Sequence, residues 1–171
     1  MKGAIGRAWN VLALVLISLS PALAADPSAR VELDISKAGP RAVEPQTQQA
    51  IRRDYRVAWS SLAQALESNS ADPLEGPFVG TAKQWLGDTV ASQSRVGMTS
   101  HYAGQTHKVQ AVFYAPEGDL IELHDVAEFQ LQISDGGKVI HEQHVVVNYV
   151  VLMTPAADRW VVRELQAVPQ F

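Results

Sequence analysis

The stretch "LIELHDVAEFQLQIS", Leu120 to Ser134, decides the fold. Ile121, Leu123, Ala127, Phe129, Leu131 and Ile133 share one parity, and Glu122, His124, Glu128, Gln130 and Gln132 share the other. A period of two marks a strand with one face on a core and one on solvent. Asp125 breaks the pattern, because its parity puts it on the apolar face. A bulge within the strand does not excuse it: the apolar phase is the same on both sides, and an extra residue would shift it. A carboxylate aimed at a core must find partners or hold a proton. Two readings stay open. Either Asp125 is held by a tyrosine hydroxyl, a tryptophan N–H or an arginine, or it lines a pocket and is available for acid–base work. Tyr102, Tyr114, Tyr149, Asn148 and Arg163 are companions on adjacent segments whose facing the sequence does not fix.

Outward from this strand, period two holds over His107–Ala115, Lys138–Met153 and Arg159–Val168 as well. The separators "APEGD", "SDGGK" and "TPAAD" are turn chemistry, and connections that short join antiparallel neighbours. Upstream the period is 3.6. In "TQQAIRRDYRVAWSSLAQALESN" the residues Ile51, Tyr55, Ala58, Leu62 and Leu66 form one apolar stripe, widened by Trp59 and capped by Thr47. Arg52, Arg53 and Arg56 lie off that stripe, as a solvated face or a seat for an anionic partner. Asp72, Pro73 and Glu75 read as a short helical turn. A second long helix follows with Phe78, Ala82, Trp85, Leu86 and Val90 inward, ended by Gly97. The expected fold is α+β and cone-shaped: two long helices and a short one on a curved four-stranded antiparallel meander.

Residues 1–24 read as a signal peptide, with Lys2 and Arg7 before an apolar run and Ala22 and Ala24 at the cleavage pattern. The apolar run is too short to span a bilayer, so no stable membrane span is expected after cleavage, and the location expected is periplasmic or secreted. Residues 25–45 carry several prolines and read as a flexible linker. The alternation of Val31, Leu33 and Ile35 offers a short edge strand as the alternative. The domain itself is placed at 46–171. With 18 Asp+Glu against 14 Lys+Arg, the chain lacks the basic surplus that grips phosphate backbones, so no nucleic-acid partner is expected. It has no cysteine, hence neither a disulfide nor a lipid-modified N-terminus.

"HEQH", His141 to His144, suggests a metal, but its spacing is three and it sits in a valine-rich strand. Zinc-protease histidines stand four apart on a helix, whereas residues three apart on a strand face opposite ways. No metal ligand and no cofactor is assigned.

Helix, short helix, helix and a long meander ending in "DRWVVRELQAV", with "DYRVAW", "FVGTAK" and "AVFYAPEG" in that order, resembles the nuclear transport factor two-like superfamily. That group holds ketosteroid isomerases, SnoaL-type polyketide cyclases, scytalone dehydratase and many domains without activity. The resemblance covers roughly residues 46–169 and is closest to divergent bacterial members. It implies a cone whose open end becomes a pocket, and enzymes that use an Asp or His inside it beside a tyrosine or a second acid. Asp125 fits as the acid, with no recognisable dyad around it.

The expected function is non-enzymatic: binding of a small apolar molecule, or of an envelope protein, in the cone. Asn148, Tyr149, Tyr114, Phe129 and Trp85 are the expected ligand-binding residues. The alternative is a cofactor-independent isomerase, dehydratase or cyclase with Asp125 as catalytic acid–base. A homodimer through the polar sheet face is a further expectation.

Overall fold

The computed structural model describes residues 29–171, so the signal segment and its cleavage pattern lie outside the described residues. Helix α1 spans Pro45–Ser68 and begins on a proline, whose missing N–H costs nothing in a first turn. It buries the stripe Ile51, Tyr55, Ala58, Trp59, Leu62, Ala65 and Leu66. It stops at Asn69, left-handed with φ 53°, whose N–H donates to the Ala65 carbonyl. Glu44 occupies the cap position expected for Thr47. The short helix is a single 3-10 turn, Asp72–Leu74. Helix α2, Gly80–Arg95, buries Ala82, Leu86 and Val90. Trp85, expected inward, is 53% exposed: Leu86 and Val90 already fill the inner face, and one residue earlier the helix has turned outward.

The sheet has five strands rather than four and is mixed rather than antiparallel. β1 is Arg30–Asp34, β2 Met98–Tyr114, β3 Ile121–Asp135, β4 Lys138–Pro155 and β5 Trp160–Val168, in spatial order β1-β2-β3-β4-β5. β2 to β5 form the expected meander. The addition is β1, parallel to β2, with Arg30 opposite Thr106 and Asp34 opposite Gln110. Within the stretch expected as a linker, Arg30–Asp34 form the short edge strand of the alternative reading. Val31, Leu33 and Ile35 pack on the core, and the crossover that a parallel pair demands is supplied by α1 and α2. β2 also starts nine residues earlier than its expected His107, because Met98 to Ala103 find backbone partners in Gln130 to Asp135.

Curvature places the site. Backbone contact with α1 is made by β1, β2 and β5, but not by the central strands β3 and β4. The sheet bows away from the helix there, and large side chains fill the gap: Tyr55 and Trp59 from α1, His107 from β2, Asp125 from β3 and Tyr149 from β4. Toward the β3–β4 turn the inner face is only partly covered, at Leu131, Ile133, Val145 and Val147. No helix among the described residues is long and apolar enough to cross a membrane.

Candidate functional site

Asp125 points into the cone and is fully buried. Its Oδ2 accepts two hydrogen bonds, from the Tyr55 hydroxyl at 2.7 Å and from His107 Nδ1 at 2.8 Å. With Asp125 as a carboxylate, Nδ1 is the donor of this bond, and in the neutral tautomer of the ring Nε2 is left as an acceptor. The Trp59 ring lies against the imidazole with centroids 4.4 Å apart, Tyr55 meets it edge-on at 5.8 Å, and Trp59 touches Tyr149 at 5.4 Å. The result is an Asp–His–Tyr triad in an aromatic sleeve.

Each member has a local cause. Tyr55 occupies the centre of the α1 stripe, and Asp125 sits on the core parity of β3 opposite Tyr149. His107 lies between two irregularities in β2, at Ala103/Thr106 and Ala111/Phe113. At the first, Gly104 and Gln105 together stand opposite Phe129. Gly104 has φ +63°, a conformation cheap only for glycine, which suits the first residue of such a bulge. The extra residue switches the phase of the strand, so Tyr102, Gln105 and His107 all face inward.

Several polar atoms here have no partner among the described residues. Asp125 Oδ1, His107 Nε2 and both amide atoms of Gln105 are buried and unpaired. Such orphans are uncommon in folded proteins and ask for a reason. The tyrosines are held as donors. Burial, then the Asp125 charge and the hydrogen bond to it, push the Tyr55 hydroxyl well above its usual pKa of 10.0. Burial, Tyr102 and Asp125 do the same for Tyr149, and burial alone for Tyr102. Within the sleeve only Tyr149 reaches solvent; Tyr55, Trp59, His107 and Asp125 are buried. Phe129 and Tyr102 stack at 4.4 Å with planes 18° apart.

The residues expected at the site divide. Asp125, Tyr149 and Phe129 are brought together on the inner face. Tyr114 is buried at the far end of β2, near Trp160 and under the Arg41 guanidinium. Asn148 faces the other way: its parity is opposite to that of Tyr149, and its amide donates to the Pro169 carbonyl at 3.1 Å. Trp85 stands on the exposed side of α2. Sequence reasoning missed Tyr55, His107 and Gln105 as site members. His141 and His144 contact different partners, Gln143 and Glu128, on the exposed part of β4. Among the described residues, no group of three or more His, Asp or Glu could hold a metal.

The outer sheet face carries an open groove of about 740 Å³ whose lining includes Leu33, Val112, Val126 and Phe171, with Lys37 and Lys108 among its polar members. The residues after β5 cross that face, and Phe171 stacks on His124 at 4.3 Å. This groove contains none of the triad.

No family model matches the chain, and no curated protein does. Solved structures do. The intermembrane-space region of the chloroplast protein ARC6 is similar with a TM-score of 0.60 and 12% identity, over 75% of this chain and 98% of that one. The fold is shared. Aln2 from a Streptomyces species is similar at a TM-score of 0.46 and 12% identity, over 72% of this chain and 90% of that one. A putative scytalone dehydratase from Novosphingobium aromaticivorans reaches 0.41 at 12% identity, over 70% and 83% of the two chains. At such identities the likeness is one of fold alone.

Proposed function

We infer that this is an exported, non-enzymatic binding domain that takes a small, largely apolar molecule carrying one hydroxyl or carbonyl group into the mouth of the cone. The observation that carries the reading is the set of buried, unpaired polar atoms on Gln105, His107 and Asp125. Leaving such atoms unpaired costs roughly 1–3 kcal/mol each, and a ligand polar group among them would recover that energy. The surrounding aromatic rings supply the apolar walls that small-molecule sites require, with few polar groups to fix orientation. Entry runs past Tyr149, whose side chain must swing aside. Export rests on the pattern of residues 1–24.

A titration with 2-naphthol, an apolar probe with one hydroxyl, tests the reading by quenching of tryptophan fluorescence. Binding should weaken about tenfold when Gln105→Leu or His107→Phe removes the polar end. Equal affinity in both variants and the wild type would overturn the reading.

One observation favours a second reading. Asp125 orients His107 by its Nδ1 and leaves Nε2 free, an arrangement that suits a general base. In an isomerase, dehydratase or cyclase, Nε2 would take a proton next to a carbonyl while a tyrosine hydroxyl steadies the oxyanion. This moves the base from Asp125 to His107. Deuterium incorporation into an apolar ketone in heavy water, abolished by His107→Gln, would favour it; no incorporation above background favours the binding domain.

A further inference from the structure

Helix α1 carries Arg52, Arg53 and Arg56 beside the first residues of β1. The groove between them, about 270 Å³, is lined by Arg30, Val31, Gln49, Arg52, Arg53 and Arg56, and among the described residues by no carboxylate. In a chain with 18 acidic against 14 basic residues, this concentration inverts the overall charge. Arg53 is tied to Asp54 at 2.7 Å, and Asp54 in turn accepts the Trp160 N–H at 2.8 Å. Arg30, Arg52 and Arg56 belong to no ion pair among the described residues.

A merely solvated helix face would interleave acids at the spacing of one turn. Here Arg52 and Arg56 stand four apart, a like-charge pair that disfavours the helix until an anion lies between them. The cations in the groove are all arginines. The planar guanidinium fork matches a carboxylate through two parallel hydrogen bonds, which a lysine does not. The opposite wall has a different character. β1 is the outermost strand, and among the described residues no strand pairs with the backbone groups on its far side. Such an edge accepts an extended polypeptide. The cleft is concave and has no exposed large apolar side chain to enter a bilayer, which argues for a peptide rather than a lipid surface.

We propose that this groove docks an extended acidic segment of a partner protein, with its carboxylates on Arg52 and Arg56 and its main chain along the Arg30–Val31 edge. The site is separate from the triad and does not depend on what the cone binds.

The test is fluorescence anisotropy of the full chain with a labelled octapeptide of alternating glutamate and valine. Binding is expected, and it should fall severalfold between roughly 50 and 500 mM salt. Arg52→Glu with Arg56→Glu should weaken it about tenfold or more, and Arg52→Gln with Arg56→Gln should weaken it less. Lys37→Glu with Lys108→Glu, in the separate outer groove, should leave it unchanged. Melting curves that match the wild type show that the variants fold. A peptide with alternate N-methylated amides should bind more weakly, and unchanged affinity overturns the strand-edge part. Affinity indifferent to Arg52 and Arg56, or capture by anionic phospholipid vesicles without peptide binding, overturns the proposal.

Discussion

The Tyr55 hydroxyl and the Asp125 carboxyl group meet at 2.7 Å although 70 positions separate them, and this bond ties α1 to the central strand β3. It forms where α1 and β3 have no backbone contact, so side chains alone span the gap. Removing either end leaves a buried partner unsatisfied. Tyr55→Phe should cost about 1–3 kcal/mol in urea unfolding. Asp125→Ala, which strands both Tyr55 and His107, should cost about 3 kcal/mol or more. Asp125→Asn keeps an acceptor and should lose less. A double-mutant cycle of Tyr55→Phe with Asp125→Asn should show a coupling of about 1 kcal/mol or more. A coupling near zero would mean that the bond contributes nothing to holding helix to sheet.

Alkaline pH probes the same cluster. Tyr55, Tyr102 and Tyr149 all have hydroxyls raised above the ordinary value of 10.0, with burial the largest cause in each. Above that pH the unfolded chain gives up these protons while the folded chain keeps them. The stabilisation is therefore complete below about pH 10 and is lost as pH rises toward the folded values, by up to about 1.4 kcal/mol per pH unit and per tyrosine. Unfolding free energies measured from pH 8 to 11.5 should fall in the wild type and fall less steeply in Tyr149→Phe. Phenolate absorbance near 295 nm should rise late, together with unfolding. Ionisation of these tyrosines near pH 10 in the folded protein would contradict their burial.

Parity made Asp125 legible, because β3 is in phase from Ile121 to Ile133 and its alternation maps directly onto facing. The stripe of α1 and the turns of the meander were legible for the same reason: local period and turn chemistry are properties of neighbouring residues. The partners of Asp125 were not. Tyr55 reads as one more apolar position of a helix, and only the fold reveals where its hydroxyl points. One inserted residue at Gly104–Gln105 reverses the facing of everything before it and so hid the inward turn of Tyr102, whereas His107 shares the unbroken parity of Val109 and only its contact with Asp125 reveals its place. Glycine in a strand-like run is the signal that could have exposed the bulge. β1 is easily under-read because a short alternation among prolines suits a linker equally well, and its pairing lies more than seventy residues downstream. Trp85 reads as inward because it stands three residues after Ala82, at the margin of the apolar stripe. Its position outside the core means that Trp85→Ser should shift stability by no more than about 0.5 kcal/mol in thermal melts.

The bulge is itself open to test. At Gly104 the backbone has φ +63°, and a Cβ there would meet nothing within 4 Å, so the cost of a substitution is conformational rather than steric crowding. Gly104→Ala should destabilise by roughly 1–2 kcal/mol. The strand can escape that strain by losing the bulge, which would turn Tyr102 away from Phe129 and release Gln105 from the interior. Chemical shifts of the Phe129 ring should therefore move on Gly104→Ala, whereas Gly87→Ala in α2 should leave them in place. Unchanged shifts with full stability would show that the left-handed turn does not set the facing of β2.

Removing β1 separates a strand from a tether. If residues 29–36 only led into the domain, a chain beginning at Lys37 would be as stable as the longer one. Val31, Leu33 and Ile35 instead pack on the core, and the five residues of β1 cover the edge of β2 from Thr106 to Gln110. Those β2 residues include His107, so the loss reaches the triad through the strand that carries it. Partial burial of three apolar side chains is worth about 1 kcal/mol each at most, after allowing for the cost of ordering the strand. The shortened chain should thus lose about 1–3 kcal/mol in urea unfolding. It should also replace the five-residue edge of β1 by the longer edge of the 17-residue β2, and a longer unpaired edge templates association more readily, so size-exclusion chromatography should show more concentration-dependent association than in the full domain. Full stability together with a monomeric profile would return this segment to the status of a linker.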